Sequence, residues 1–273
     1  MEKDYEIISL GWNCQPRTYL MYHGLIATKK YGRKTMVFDL TGHTTKAIVE
    51  LLKNHFVDYF DNFEYDFYPP FNINSWQVKK YDGILNHDND IKPNEIEKLK
   101  ERYERRISDF YKEVDSDKYL FFIHNIVPET TEEQINDLYN VLKNIREEKP
   151  FKLIIWDIFE KLDKSLLEKN IILIASHYSY DEFEDWFKPE KQDAKSKKWQ
   201  EGLALSVADV IKQEGFKLKK YRIPFSKKFK NFIKPILKNT FSITKDFDMS
   251  AKVLIILGIK IKLKDLDNYR GYD

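Results

Sequence analysis

The chain has 273 residues, 42% of them apolar and 15% aromatic, which excludes a disordered polypeptide and supplies material for a full core. A formal net charge of +2, with 33% charged residues, does not mark nucleic acid as the main partner, and a single cysteine excludes an internal disulfide and fits a reducing compartment. The longest aliphatic run, Val253 to Leu257, is too short to cross a bilayer, and the polar start M-E-K-D-Y-E is unlike a secretory signal, so a cytoplasmic location is expected.

The first predicted element is a strand over Glu6–Leu10, followed by a sharp turn at Gly11. Asn13 is a good helix N-cap, Pro16 is tolerated in the first helical turn, and Gly24 before apolar Leu25 fits a helix stop. Cys14 therefore opens a helix that follows a strand. The positive end of a helix dipole lowers a thiol pKa, so this placement predicts an easily ionised nucleophile; the competing reading is a cysteine that serves as a small apolar residue.

A basic loop, Lys29 to Lys34, leads to apolar Thr35–Leu40, read as a short buried strand or a loop packed on the core. Ile48, Leu51, Leu52 and His55 share one face of a helix over Thr44–His55, capped by Thr41 or Thr44. Residues 56–90, rich in aromatics, Asp and Asn around Pro69-Pro70, read as a long irregular insertion with two short strands. Pro93–Val114 has strong helical spacing.

Three strand–helix units follow. The strands are Lys118–His124, Phe151–Trp156 and Asn170–Ser176; a helix over Thr130–Glu147 carries a capping box at Thr131 and Gln134, and a short helix runs to Leu167. Runs apolar on both faces that alternate with helices predict a mostly parallel sheet covered on both sides. Trp199–Glu214 is the next helix and Phe216–Ile223 a further strand. Residues 217–238 hold nine Lys or Arg and no acid, interleaved with aromatic and aliphatic residues, which suits either a solvated helix face or peripheral contact with an anionic membrane. The tail V-L-I-I-L-G-I-K-I-K-L-K reads as a hairpin turning near Gly258.

In open parallel sheets ligands bind beyond the carboxyl ends of the strands. There the predicted strands deliver Asn13 and Cys14, then His124 and Asn125, then Asp157, then His177. A thiol, imidazole bases and an acidic or amide orienter are the parts of thiol catalysis, with backbone N–H groups near Cys14 and the Asn13 side chain as an oxyanion site. His87-Asp88 offers another imidazole, in N-H-D-N-D. No H-x-x-x-H or C-x-x-C spacing occurs, so no metal is expected, and no glycine-rich phosphate loop implies a nucleotide cofactor.

These motifs carry a resemblance. I-S-L-G-W-N-C, with Leu20-x-x-x-Gly24-Leu25 behind it, Val37-Phe38-Asp39-Leu40, Asn86-His87-Asp88, Arg105-Arg106-Ile107 with Phe110, and Leu120-Phe121-Phe122-Ile123 run in the order seen in the bacterial DUF1796 family, described as papain-like cysteine peptidases. The chain resembles that family over roughly residues 5 to 180. It departs at Val37 for Pro, Leu40 for Trp, Asp109 for Arg and His124 for a frequent Arg. The resemblance implies a nucleophile at Cys14 and a base at His87, with Asp39 or Asp88 as orienter; the strand-end argument instead favours His124 or His177 as base. Separately, the last thirty or so residues are similar to the C-terminal segment of bacterial capsule and lipooligosaccharide glycosyltransferases, which implies a surface-polysaccharide setting.

The expectation is thus an α/β three-layer sandwich with a mostly parallel central sheet and an aromatic-rich insertion, in a domain over 1–225 with a basic extension over 226–273. The expected activity is that of a papain-like cysteine peptidase or thiol-dependent acyl hydrolase or transferase. Gly11, Asn13, Asp157 and Arg106 are assigned to binding a peptide, acyl or glycan substrate. The strand–turn–helix layout is also similar to that of SGNH hydrolases with Cys for Ser, which admits an esterase or glycan-modifying transferase. The non-catalytic alternative is a scaffold in polysaccharide assembly.

Overall fold

The computed structural model describes residues 4–68, 73–147, 149–176 and 194–221, together with two short strands near the C-terminus. In chain order the main elements are β1 (Tyr5–Ser9), α1 (Gln15–Tyr22), α2 (Thr45–Lys53), β2 (Phe63–Tyr68), β3 (Ile73–Val78) and β4 (Gly83–Leu85). There follow α3 (Ile96–Val114), β5 (Tyr119–Asn125), α4 (Glu132–Arg146), β6 (Phe151–Asp157), β7 (Ile171–Ala175) and α5 (Ala194–Gln213). The chain divides into two compact units, Met1–Tyr221 and Arg222–Asp273.

Four strands form one sheet in the order β1-β5-β6-β7, every neighbouring pair parallel. Successive strand residues face opposite sides, and both sides are apolar. Ile8, Leu120, Phe122, Leu153 and Ile155 join Ile48, Leu51 and Leu52 of α2, Leu99 and Phe110 of α3, and Leu138 and Leu142 of α4 in the larger core. Ile7, Phe121, Ile123, Ile154 and Trp156 join Tyr19 and Leu20 of α1 and Leu203, Val207 and Ile211 of α5 in the smaller one. Helices, sheet, helices: these are the three expected layers.

Local chemistry sets the helix ends. Thr44 caps α2, its Oγ1 accepting from Ala47 N at 3.3 Å. Thr131 and Gln134 form the capping box of α4. Gly24, at φ +73°, ends α1 in a Schellman motif, in which Leu25 N donates to Leu20 O at 2.8 Å and Gly24 N to Met21 O at 3.1 Å.

The structure departs from the sequence reading in three places. The insertion is more regular than expected: β2, β3 and β4 form a three-stranded antiparallel sheet. Its alternation is obscured because β2 is almost wholly exposed and only β3 and β4 bury a run. Tyr59 sits in this region's aromatic cluster, edge-on to Phe56 and Phe63 and beside Tyr103. Residues 158–167 form no α-helix, only a 3-10 turn at Lys164–Leu166, because the Asp157 carboxylate captures the backbone N–H groups of Phe159, Lys161 and Leu162. Residues 216–221 are not a strand; Lys219 N donates to the Tyr5 phenol and Tyr221 N to Gly24 O, so their donors are spent outside any ladder.

In the second unit Val253–Ile256 pairs antiparallel with Ile259–Lys262, with Ile256 opposite Ile259. His177 and most of the basic segment 217–238 lie outside the described residues. Among the described residues no helix is long and apolar enough to cross a membrane.

Candidate active site

Parallel register brings the carboxyl ends of β1, β5, β6 and β7 to one edge of the sheet. Leu10 N makes the last bond of β1, to Ile123 O at 2.8 Å. The chain then turns at Gly11, where a Cβ would lie 2.2 Å from Asn13 O and 2.7 Å from Asn125 Oδ1. The turn thus needs glycine for close approach rather than for a positive φ. Cys14, not Asn13, occupies the N-cap position of α1, and its own side chain caps nothing. Asn13 does the capping from one residue earlier: its Oδ1 accepts from Gln15 N at 2.9 Å.

The Cys14 thiol is partly buried and packs against the smaller core. Burial pushes its pKa up, against a hydrogen bond with Thr18 that pulls it down. This corrects the expected acidic thiol. A short helix offers a weak dipole, and the side chain lies along apolar surface, where a thiolate is poorly solvated. Among the described residues, no imidazole hydrogen-bonds to the sulfur.

His124 and Asn125 leave β5 on opposite faces. His124 follows Phe122 onto the side of α2 and α4, away from α1. It is fully buried; Nδ1 donates to Leu10 O, and Nε2 is 2.8 Å from Thr45 Oγ1, which also meets Thr130 Oγ1 at 3.3 Å. Burial lowers its pKa to about 4. The ring is therefore neutral, with both nitrogens engaged, and it clamps the end of β1 to the start of α2. Asn125 follows Ile123 onto the α1 side. Its Nδ2 donates to Asn13 Oδ1 at 2.9 Å and to Gln15 Oε1 at 3.1 Å. The residues on either side of Cys14 are thus drawn together on one buried amide.

The predicted acids are held by other partners. Asp157 is fully buried, and the three loop N–H groups named above engage both its oxygens, which makes it a loop anchor. Asp39 is fully buried between Arg17 Nε and Arg33 Nη2, each at 3.5 Å, and accepts from Met36 N at 2.9 Å. Arg33 also pairs with Glu6 at 2.5 Å. Asp39 therefore ties the loop before α2 to the first turn of α1, three residues beyond the thiol.

Asp88 is likewise fully buried. It accepts from Tyr103 Oη at 2.7 Å, Arg102 Nη1 at 2.8 Å and Arg106 Nη1 at 3.0 Å. The Arg106 guanidinium also lies 4.7 Å from the centre of the Tyr103 ring. Arg106 is thus committed to holding the insertion onto α3. His87, next to Asp88, is exposed, and its ring makes no hydrogen bond among the described residues. Partial desolvation lowers its pKa, with Asp88 pulling the other way and Arg106 adding to the fall. The insertion reaches the thiol turn through Gly42: Gly42 and Ile84 exchange two backbone bonds of 2.9 Å, and a Cβ on Gly42 would lie 2.6 Å from Trp12 O.

The structure thus brings Gly11, Asn13 and Cys14 together with Asn125 and Gln15 at the sheet edge. It places His124 behind that edge and engages Asp39, Asp88 and Arg106 in ion-pair networks. Sequence reasoning missed the pairing partners Gln15, Arg17, Arg33, Thr45 and Arg102. Asn125 had a readable signal: with a side-chain period of two, it shares a face with Ile123. Among the described residues no group of three His, Cys, Asp or Glu could hold a metal.

Residues 5–155 match the family model described as "Putative papain-like cysteine peptidase (DUF1796)". No curated protein and no solved structure matches the chain.

Proposed function

The chain belongs to this DUF1796 family, and from that premise we propose that it is a thiol-dependent acyl hydrolase of papain-like peptidase type, with Cys14 as nucleophile and His87 as general base. The observation that carries the proposal is the placement of Cys14: a partly accessible thiol at the start of α1, on the carboxyl edge of a parallel sheet. A thiol with a raised pKa keeps its proton at neutral pH, so attack needs a base. His87 suits that task. Its lowered pKa keeps it neutral, its ring is exposed, and Gly42 links its segment to the thiol turn. Thiol–imidazole contacts often tighten only when substrate binds.

In this mechanism Sγ bonds to the substrate carbonyl carbon while His87 takes the thiol proton. The imidazolium returns that proton to the leaving amine or alkoxide as the tetrahedral species collapses. Water then cleaves the thioester, with His87 again as base. The tail resemblance suggests a substrate met during surface-polysaccharide assembly at the inner face of the membrane, with the basic segment 217–238 touching anionic lipid.

The test is mass spectrometry of Cys14 after exposure to electrophilic peptide probes and to acyl esters. Adducts from peptide probes are expected, lost in Cys14→Ser and slowed by about 10²-fold or more in His87→Ala. Labelling by esters alone would favour the esterase or transferase reading. Labelling by neither, in a protein whose thiol still reacts with iodoacetamide, would leave a scaffold.

A further inference from the structure

The His124 ring sits in a chain of hydrogen bonds whose direction is fixed at both ends. A carbonyl can only accept, so Nδ1 donates to Leu10 O. Burial keeps the ring neutral, which leaves Nε2 a lone pair, so the Thr45 hydroxyl 2.8 Å away donates to it. Thr45 Oγ1 has then spent its hydrogen and accepts from Thr130 Oγ1 at 3.3 Å, which in turn accepts from Val127 N at 3.2 Å. All three side chains are buried. The chain of bonds therefore runs one way, from the loop before α4 to the end of β1, and it holds the ring in its Nδ1–H tautomer. The acceptor at its end is one that the sheet would otherwise use. Tyr119 N donates to Asp4 O at 3.0 Å, and parallel pairing repeats every two residues, so the ladder's next donor for Leu10 O is Asn125 N. Pairing stops instead at Ser9 opposite Ile123: Leu10 N keeps its ladder bond, while Leu10 O turns to the His124 ring. The peptide drawn out of the ladder joins Leu10 to Gly11 and opens the thiol turn.

We propose that His124 is a positioning residue for Cys14: by drawing the Leu10 carbonyl out of the sheet it sets the direction in which the chain enters the thiol turn, and the Thr45 and Thr130 hydroxyls hold the ring in the tautomer that does so. This assignment rests on the reading of Cys14 as a nucleophile. Both ring nitrogens are engaged elsewhere, so His124 acts through the Leu10 peptide and touches no reacting atom.

The test separates the two ring nitrogens in the full chain. In His124→Asn the side-chain NH₂ falls near the place of Nδ1 and can still donate to Leu10 O. In His124→Gln the amide falls near the place of Nε2, meets Thr45 and leaves Leu10 O to the ladder. Mass spectrometry on the Cys14 peptide follows acylation by p-nitrophenyl acetate and alkylation by iodoacetamide, and the ratio of the two rates cancels differences in thiolate fraction. His124→Gln is expected to lower the acylation-to-alkylation ratio by about 10–10²-fold, and His124→Asn to keep it within about threefold. A ratio moved equally in both variants, or in neither, overturns the positioning role while leaving the nucleophile in place. A second measurement needs no variant: nitrogen-15 NMR of the His124 ring is expected to show a protonated Nδ1 and a bare Nε2, and the opposite tautomer overturns the directed chain of bonds. A parent protein that is alkylated but not acylated overturns the nucleophile, and the positioning role with it.

Discussion

His124 and Asn125 are neighbours with separate tasks. One pins the backbone before the thiol turn from the α2 side; the other gathers the side chains around the thiol from the α1 side. His43 is a second buried ring, with Nδ1 3.1 Å from Thr41 Oγ1 and Nε2 3.4 Å from Tyr59 Oη, and burial lowers its pKa to about 3. Both rings are neutral in the fold but protonate near pH 6.5 in an unfolded chain. The folded state therefore binds fewer protons below that pH, and stability falls with pH from about 6.5 until the folded values of about 4 and about 3 are passed. Each ring is expected to contribute a slope of about 1.4 kcal/mol per pH unit within that window. Urea unfolding at pH 7, 6 and 5 measures it, and His124→Gln should remove about half. A stability independent of pH over that range would show the rings to be solvated.

Among the elements, α3 and the β2–β4 insertion are joined by the Asp88 cluster. Arg102 pairs with Asp90 as well, at 2.7 and 2.9 Å, but Arg106 has Asp88 as its one carboxylate among the described residues. Asp88→Asn therefore leaves a buried guanidinium uncompensated, and a loss of about 3–5 kcal/mol is expected in urea titration. Arg106→Met in that background should recover part of the loss, since the unpaired charge is then gone. No recovery would mean that Asp88 acts through Tyr103 and Arg102 instead. The networks at Asp39 and Asp88 were not readable from the chain. Each joins residues from different segments, such as Arg17 with Arg33 and Asp39, and no spacing rule links them. The caps at Thr44 and Thr131 were readable because donor and acceptor lie within one turn.

At the scale of the whole molecule, both described core clusters draw on residues of the first unit. A chain ended at Tyr221 is expected to unfold in one cooperative transition. Ending it at Gly215 removes Phe216, whose ring packs on Tyr5, Tyr119 and Phe121, and Lys219, whose N–H meets the Tyr5 phenol. A further loss of about 3–5 kcal/mol is expected on ending the chain there. Equal stability of the two truncated chains would show that the segment after α5 merely rests on the sheet.

By itself the sequence determined the layers and the parallel sheet, because two-faced apolar strands alternating with helices satisfy their backbone and bury their faces in few other ways. It also put Cys14 at a strand-to-helix turn, since Gly11, Asn13 and Pro16 act on their immediate neighbours. Only the tertiary structure decided what surrounds that sulfur. The face taken by His124, the carboxylates claimed by arginines and the desolvation that raises the thiol pKa all depend on groups distant in the chain, and long-range electrostatics and burial leave no periodic trace in it.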